Sequence, residues 1–299
     1  MAEPAVVSRQ AYAKINVFLR VLGRRGDGYH ELESLALPVT LADTVTAEPA
    51  SALKIDVRGD AEKASAADAG GMNLALVAAL ALAKACGIAA GALVQIDKRI
   101  PVAAGLGGGS ADAAATLHAL NELWGCGLDL DMLLGIGEQV GSDVPGLLMG
   151  GPVLLRGRGE HVQRVTTTTS WWALKAFDFP TRSPDAYRWW DEAGAHSGPD
   201  PGVLLAAVET GQAGLLGSAL FNDLEASVAA RHPEVELAKR AFLEAGALGA
   251  VMSGSGPTVV ALARHMMHAD QVAEAVPGSI VVSGPPDVAP ADREPRRAR

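Results

Sequence analysis

Apolar residues occupy every second position from Ile15 to Val21 near the start of the chain. A period of two residues predicts a β-strand, and we expect it over Val6 to Val21. The same alternation places Lys14 and Asn16 together on the opposite face. Most polar strand faces are simply solvated, so this pair does not by itself indicate a site.

The remaining apolar patterns predict alternating strands and helices. Strands are expected over Leu35 to Ala47 with a break at Asp43, Leu53 to Val57, Ala92 to Ile96, Trp171 to Phe179 and Val259 to Leu262. Helices are expected over Asn73 to Cys86 with a stop at Gly87, Ser110 to Leu123, Asp131 to Val140, Pro184 to Ala193, Val203 to Thr210, Leu215 to Leu220 and Glu234 to Ala245.

A glycine-rich loop lies between one predicted strand and the helix that follows it. The segment Pro101 to Ala115 carries four glycines, at position 105 and at positions 107 to 109, and Ser110 is a suitable helix cap. Glycine allows the backbone to approach a ligand closely, and the first N–H groups of a helix attract anions. The order of strand, loop and helix therefore predicts a phosphate site.

Two familiar phosphate-binding motifs do not match this loop. A P-loop requires a lysine before its final serine or threonine, but Gly109 is followed directly by Ser110. The dinucleotide fingerprint, begun at Gly105, would require glycine at position 110. A plain turn between packed elements is the simpler alternative, and four glycines in five positions disfavour it.

The composition of the chain limits the kinds of binding partner and the cellular compartment that we expect. The chain has 299 residues, 49% of them hydrophobic, and a net charge of -9, which argues against a nucleic-acid polymer as partner. Cys86 and Cys126 show neither zinc spacing nor a disulfide framework, so we expect buried free thiols in a cytoplasmic protein. The longest apolar run, Leu74 to Ala83, is too short to span a membrane.

Several polar residues have both a structural and a functional interpretation. Tyr29 and His30 follow a turn and form either a half-buried pair or a stacking surface for a ring. Asp143 stands between glycine and proline, where aspartate is usually a turn former. A second glycine-rich segment begins at Gly249 and is compatible with a hairpin. Residues 285 to 299 are predicted to be a disordered tail.

Taken in order, these segments resemble the GHMP kinase superfamily. Its three motifs match Ala13 to Asn16 with its flanks, Pro101 to Ala115 and Met252 to Thr258. The resemblance implies an α+β, two-domain fold with the active site in the interdomain cleft. It implies an N-terminal ATP-binding domain over residues 1–160 and a C-terminal domain over residues 161–284.

The resemblance also implies roles for individual residues. Lys14 and Asp143 would be catalytic, with Asp143 as the base, and Asn16, Tyr29 and His30 would bind the substrate. ATP would be bound by Asn73, Lys98, Pro101, Val102, Ala103, Ala104, Gly105, Leu106, Gly107, Gly108, Gly109, Ser110 and Ala111, with Gly254, Ser255 and Gly256 as a further loop on the phosphate side. Ser110 is also a candidate ligand of Mg²⁺.

The expected activity is transfer of phosphate from ATP, with Mg²⁺, to a small-molecule acceptor. The segments Gly28 to His30 and Ser142 to Pro145 favour a member acting on a cytidine diphosphate alcohol. Alternatives are a member acting on homoserine, a sugar or mevalonate, and a non-catalytic nucleotide-binding relative. A serine hydrolase using Ser253 or Ser255 lacks the required spacing. The oligomeric state, monomer or homodimer, stays open.

Overall fold

A computed structural model describes residues 6–59, 73–89, 91–194 and 197–286. Most of the predicted tail lies outside these residues. Strands β1 to β11 span Val7–Arg24, His30–Pro49, Lys54–Gly59, Ala92–Lys98, Val153–Gly157, His161–Arg164, Ser170–Lys175, Phe221–Asn222, Gly249–Met252, Val259–Ala263 and Ile280–Gly284. Helices α1 to α10 span Leu74–Cys86, Gly108–Leu123, Leu130–Val140, Val144–Leu148, Ser183–Glu192, Gly202–Thr210, Ala213–Ser218, Glu225–Ala229, Pro233–Glu244 and Met266–Glu274.

The strands form two sheets. The seven-stranded sheet has the order β3-β4-β2-β1-β8, and β5 joins it by pairing with both β2 and β6. The four-stranded sheet has the order β11-β7-β10-β9. The predicted break at Asp43 is wrong, because β2 runs through it and pairs Asp43 with Ala11 of β1. Asp43 lies buried within the strand instead of ending it.

The central strand β1 places two polar residues in the interior. Its register against β2 shifts between Tyr12 and Lys14 and again between Asn16 and Phe18, so an irregularity stands on each side of this pair. Such irregularities bend a strand and redirect its side chains. Lys14 and Asn16 do share one face, as predicted, but that face is buried rather than solvated.

Helices α1 and α2 begin side by side. Asn73 caps α1 by accepting a hydrogen bond of 2.9 Å from the N–H group of Ala75. The predicted cap of α2 is wrong, because the helix begins at Gly108 after Gly107, whose φ of 69° suits a glycine. Ser110 consequently lies within the first turn. A methyl group on Gly109 would lie 3.8 Å from Leu74, which shows how close the two helix starts are.

The two halves of the chain share a continuous core. Phe18 and Leu19 of β1 pair in parallel with β8, and the N–H group of Ser283 donates to Thr40 at 3.0 Å. Buried residues of the second sheet, among them Trp172, belong to the same apolar cluster as those of the first. The domain boundary at residue 160 stays a prediction. Among the described residues, no helix is long and apolar enough to cross a membrane.

The expectation of free thiols is wrong, because Cys86 and Cys126 form a disulfide. Cys86 is the last residue of α1, and Cys126 follows the end of α2. The helices that start together therefore also end together, with 5.8 Å between the two Cα atoms. Their separation of 40 residues in sequence carries no signal of this proximity, which arises only when the helices pack.

We expect reduction of this disulfide to destabilise the protein. A cross-link of this span restricts the unfolded chain and is worth about 2–4 kcal/mol. Denaturant unfolding with and without reductant measures the difference, and the Cys86→Ser, Cys126→Ser double variant should show no response to reductant. Two titratable thiols in the unreduced, denatured parent would contradict the assignment.

Candidate active site

An open cleft of about 1620 Å³ lies between the two halves of the chain. Most of the residues predicted to bind or react line it: Lys14, Asn16, Tyr29, His30, Asn73, Lys98, Pro101 to Ser110, Asp143, Gly254 and Ser255. Ala111 and Gly256 do not line it and are buried behind it. The structure thus gathers segments that are far apart in sequence around one cavity.

The glycine loop is fixed through its carbonyl oxygens. Each carbonyl of residues 103 to 106 accepts a hydrogen bond from a segment outside the loop. The donors, in order, are the N–H of Thr181 (3.2 Å), the N–H of Thr258 (3.4 Å), the hydroxyl of Ser253 (3.0 Å) and the N–H of Lys14 (3.0 Å). Three parts of the chain, β1, the segment before α5 and the hairpin between β9 and β10, therefore hold the loop.

The N–H groups at the start of α2 lie on the cleft side of the same loop. The first N–H groups of a helix lack intrahelical acceptors, and Gly108, Gly109 and Ser110 occupy that first turn. All three residues line the cleft. Together with the positive end of the helix dipole they provide a site for an anion such as a phosphate.

A lysine and an aspartate face each other beside this loop. Lys14 Nζ lies 3.5 Å from Asp143 Oδ2, and it donates to Asn16 Oδ1 at 2.6 Å and to the Gly105 carbonyl at 3.2 Å. Asp143 precedes α4 but makes no side-chain cap bond to it. Its side chain remains 38% exposed, so the carboxylate is accessible from the cleft. The turn-former interpretation therefore does not account for its side chain.

Asn16 is held in place by two serines. Its Nδ2 donates to Ser34 Oγ at 2.7 Å, and its backbone N–H donates to Ser253 Oγ at 3.1 Å. Ser253 also donates to the glycine loop and is fully buried, which is a further argument against a role as a hydrolase nucleophile. It acts as a structural link between β1, the loop and the hairpin.

Aromatic side chains line another part of the cleft. The rings of His30 and Tyr187 stack with centroids 4.8 Å apart, and His30 Nε2 lies 2.9 Å from Asp191 Oδ1. Tyr29 is 52% exposed, and the Arg158 guanidinium lies 5.1 Å from its ring centre. Burial, and to a lesser extent the charge of Asp143, raises the pKa of Tyr187, so its phenol stays protonated at neutral pH.

Lys98 lies at the base of the glycine loop between two carboxylates. Its Nζ pairs with Asp43 and lies 2.7 Å from Asp112 Oδ2. Burial by itself would lower the pKa of Lys98, but the two carboxylates raise it. Burial raises the pKa of Asp112 to about 7, with the charge of Asp43 adding to the effect and Lys98 opposing it.

The remaining predicted residues take varied positions. The Asn73 side-chain oxygen caps α1, so its amide nitrogen is the part left for a ligand. Ser255 Oγ donates to Ser183 Oγ at 2.9 Å across the mouth of the cleft. A methyl group on Gly254 would lie 2.9 Å from Asn16 Oδ1, so only glycine allows the hairpin to approach β1 this closely.

Three residues in or beneath the cleft, Tyr187, Asp43 and Asp112, were not identified as site residues from the sequence. Tyr187 lies in a helix rich in aromatic residues, although only 4% of the chain is aromatic, and this enrichment was a usable signal. Asp43 and Asp112 each stand alone among apolar or small residues, where a buried charge has to find a partner. Nothing in the sequence indicated that both would pair with Lys98.

Comparison with known proteins agrees with this fold and site. Residues 73–151 match the family described as GHMP kinases N terminal domain, and residues 204–280 match GHMP kinases C terminal. A relative from Symbiobacterium thermophilum named 4-diphosphocytidyl-2-C-methyl-D-erythritol kinase is 43% identical over 254 residues, which cover 84% of this chain and 88% of the relative.

Solved structures show the same similarity. The crystal structure of a 4-(cytidine 5'-diphospho)-2C-methyl-D-erythritol kinase has a TM-score of 0.78 and 32% identity, covering 93% of this chain and 98% of that one. A homoserine kinase from Cytophaga hutchinsonii has a TM-score of 0.72 at 21% identity, covering 95% and 96%. At that identity the second comparison shows the fold alone.

The fold, the cleft and these matches together are those of an enzyme that phosphorylates small molecules. The chain belongs to the GHMP kinase family. The predicted family, the α+β two-domain fold class and the small-molecule kinase activity are thereby confirmed, and the family implies ATP as phosphate donor. The individual roles predicted for the site residues stay predictions.

We expect Gly105→Ala to disrupt the loop. Gly105 has φ 77°, and a methyl group there would lie 2.2 Å from the Ser253 carbonyl oxygen. The backbone strain alone costs about 1–3 kcal/mol, and the overlap adds to it. Gly109→Ala is the matched control, since it meets no atom closer than 3.8 Å. Denaturant unfolding of both variants measures the difference in stability. Equal stability of the two would contradict the close approach of Gly105 to the Ser253 carbonyl.

Proposed function

We propose that this chain transfers the γ-phosphoryl group of ATP to a hydroxyl of 4-diphosphocytidyl-2-C-methyl-D-erythritol. This would be a step in the formation of isoprenoid precursors by the non-mevalonate route. The observation that carries the proposal is the pair of Lys14 and Asp143, 3.5 Å apart beside the anchored glycine loop. The relatives' names supply the acceptor.

The glycine loop supports a role in binding the ATP phosphates. Its carbonyl oxygens are engaged by the protein, while the first N–H groups of α2 remain available for phosphate oxygens. Ile55, Val57 and Leu74 form an aliphatic part of the cleft, with Asn73 beside them. We assign the adenosine to this part, since an apolar surface favours a purine ring.

Lys14 and Asp143 support the chemistry of transfer. In the proposed reaction the acceptor oxygen forms a bond to the γ-phosphorus while the bond to the bridging oxygen of ADP breaks. The hydroxyl proton passes to the Asp143 carboxylate. Lys14 offers positive charge to the transferring group and, through its bonds to Asn16 and Gly105, holds a fixed position.

The available donors suit Mg²⁺ as the metal ion of this reaction. Within the described chain, no three His, Cys, Asp or Glu side chains converge to hold a metal ion by themselves. Mg²⁺ typically binds one or two protein oxygens together with substrate phosphates. The hydroxyl of Ser110 lines the cleft and is an oxygen ligand of this kind. Bound there, the ion would neutralise phosphate charge.

The aromatic part of the cleft supports a cytidine-containing acceptor. Tyr29 is an exposed ring, and His30 and Tyr187 present a stacked pair nearby. Rings of this kind bind the face of a nucleobase, whereas homoserine and mevalonate have no ring to stack. Retention of both Lys14 and Asp143 argues against a non-catalytic relative. The cytoplasmic location and the oligomeric state stay predictions.

The proposed base is tested by Asp143→Asn in an assay of ADP release. We expect Mg²⁺-dependent turnover with the cytidyl alcohol and a loss in kcat of roughly 10²- to 10⁴-fold in the variant, with ATP binding kept. Asp131→Asn is a suitable control, since this carboxylate is exposed on α3 and does not line the cleft. Unchanged turnover in Asp143→Asn would show that Asp143 is not the catalytic base. Phosphorylation of homoserine instead of the cytidyl alcohol would overturn the acceptor.

The proposed base-stacking surface is tested by Tyr187→Ala. Loss of one stack with a nucleobase is worth about 1–3 kcal/mol, so we expect KM for the cytidyl alcohol to rise roughly tenfold or more. KM for ATP should change little. Tyr187→Phe keeps the ring and should resemble the parent. A larger rise in KM for ATP than in KM for the cytidyl alcohol would assign the aromatic surface to ATP and contradict the proposal.

A further inference from the structure

The ammonium group of Lys98 joins the two ends of the glycine loop. On one side it pairs with Asp43, whose other carboxylate oxygen accepts hydrogen bonds from the N–H groups of Arg99 and Ile100, the latter at 2.8 Å. These two residues immediately precede the loop. On the other side Lys98 pairs at 2.7 Å with Asp112 in the second turn of α2, which follows the loop.

This bridge is buried and closely packed. The side chain of Lys98 is 7% exposed, that of Asp112 8% and that of Asp43 0%. A methyl group on Gly108 would lie 3.4 Å from Lys98 Nζ and 3.0 Å from Ile100. The ammonium therefore lies directly beneath the point where the loop becomes helix. Charges removed from water in this way are costly unless their geometry is well satisfied.

The contacts of Lys98 leave it poorly suited to bind the nucleoside directly. An ammonium group has three N–H donors, and two of them are directed at carboxylates by the observed pairs. With both carboxylates ionised the cluster carries a net negative charge, because one lysine is set against two aspartates. Such a cluster supports the anion site by fixing its backbone and not by adding positive charge.

We propose that Lys98 is a positioning residue that acts on the phosphates of ATP through the backbone of the glycine loop. It holds the segment before the loop and the first turns of α2 at a fixed separation. This separation fixes the positions of the N–H groups that receive the phosphates. The inference rests on the proposed ATP site but is independent of the identity of the acceptor.

The test compares Lys98→Met with the parent by hydrogen exchange and by titration with ADP. We expect faster exchange in peptides covering residues 99 to 112 of the nucleotide-free protein, with peptides of the second sheet unchanged. Misplaced binding groups can cost about 10²-fold, so we expect ADP affinity to fall roughly 10- to 100-fold. Lys175→Met is the control, because Lys175 lies on β7 outside the cleft.

A double variant separates positioning from charge balance. Lys98→Met with Asp112→Asn leaves Asp43 as the one charge, which restores the net charge of the parent cluster without the bridge. We expect it to regain stability relative to Lys98→Met while the loop exchange stays fast and ADP affinity stays low. It also keeps the test available if the single variant does not fold.

Three outcomes would overturn the proposal. If the double variant bound ADP as tightly as the parent, the role of Lys98 would be limited to balancing the charge of the two carboxylates. Weaker ADP binding with unchanged exchange of the loop would indicate direct contact with the nucleotide. Faster exchange throughout the protein would indicate a general structural role. None of these outcomes bears on the acceptor, whose identity is decided by the turnover assay with the cytidyl alcohol.

Discussion

The anchoring of the glycine loop through its carbonyl oxygens is the constraint on which the site depends. A loop rich in glycine has many accessible conformations, and ordering it costs entropy. Donors from β1, from the segment before α5 and from the β9–β10 hairpin engage four successive carbonyls. The first turn of α2, which follows the loop, lines the cleft. The halves of the chain are thus joined at the loop itself.

Buried polar groups surround this loop and most of them pair with one another, although Asp112 Oδ1 has no hydrogen-bond partner among the described residues. Lys14 and Asn16 are interior residues of a central strand, and Asp43, Lys98 and Asp112 form an interior cluster. Each would be destabilising alone, since an unpaired buried amide costs about 1–3 kcal/mol and an unpaired buried charge costs about 3–5 kcal/mol. Their pairing fixes relative positions more strictly than apolar packing does, because hydrogen bonds are directional. Stability and site geometry are consequently coupled.

The two parts of the cleft are built by different kinds of segment. One side comes from the glycine-rich loop and the start of α2, whereas the aromatic side comes from the turn before β2 and from α5. The homoserine kinase structure shares the fold at 21% identity. One fold can carry different sites, because function depends on the residues placed on the fold and not on the fold itself.

The sequence by itself determined most of the helices, the longer strands, the position of the glycine-rich loop and the family, because these depend on local periodicity and on motif residues at defined positions. It also placed Lys14 with Asn16, since a strand repeats every two residues. Only the tertiary structure decided that this face is buried, that α2 begins at Gly108 and not at Ser110, and that Cys86 and Cys126 are bonded. It alone joined Asp43 and Asp112 through Lys98. Pairings between distant residues depend on how helices and sheets pack, and no local pattern records that.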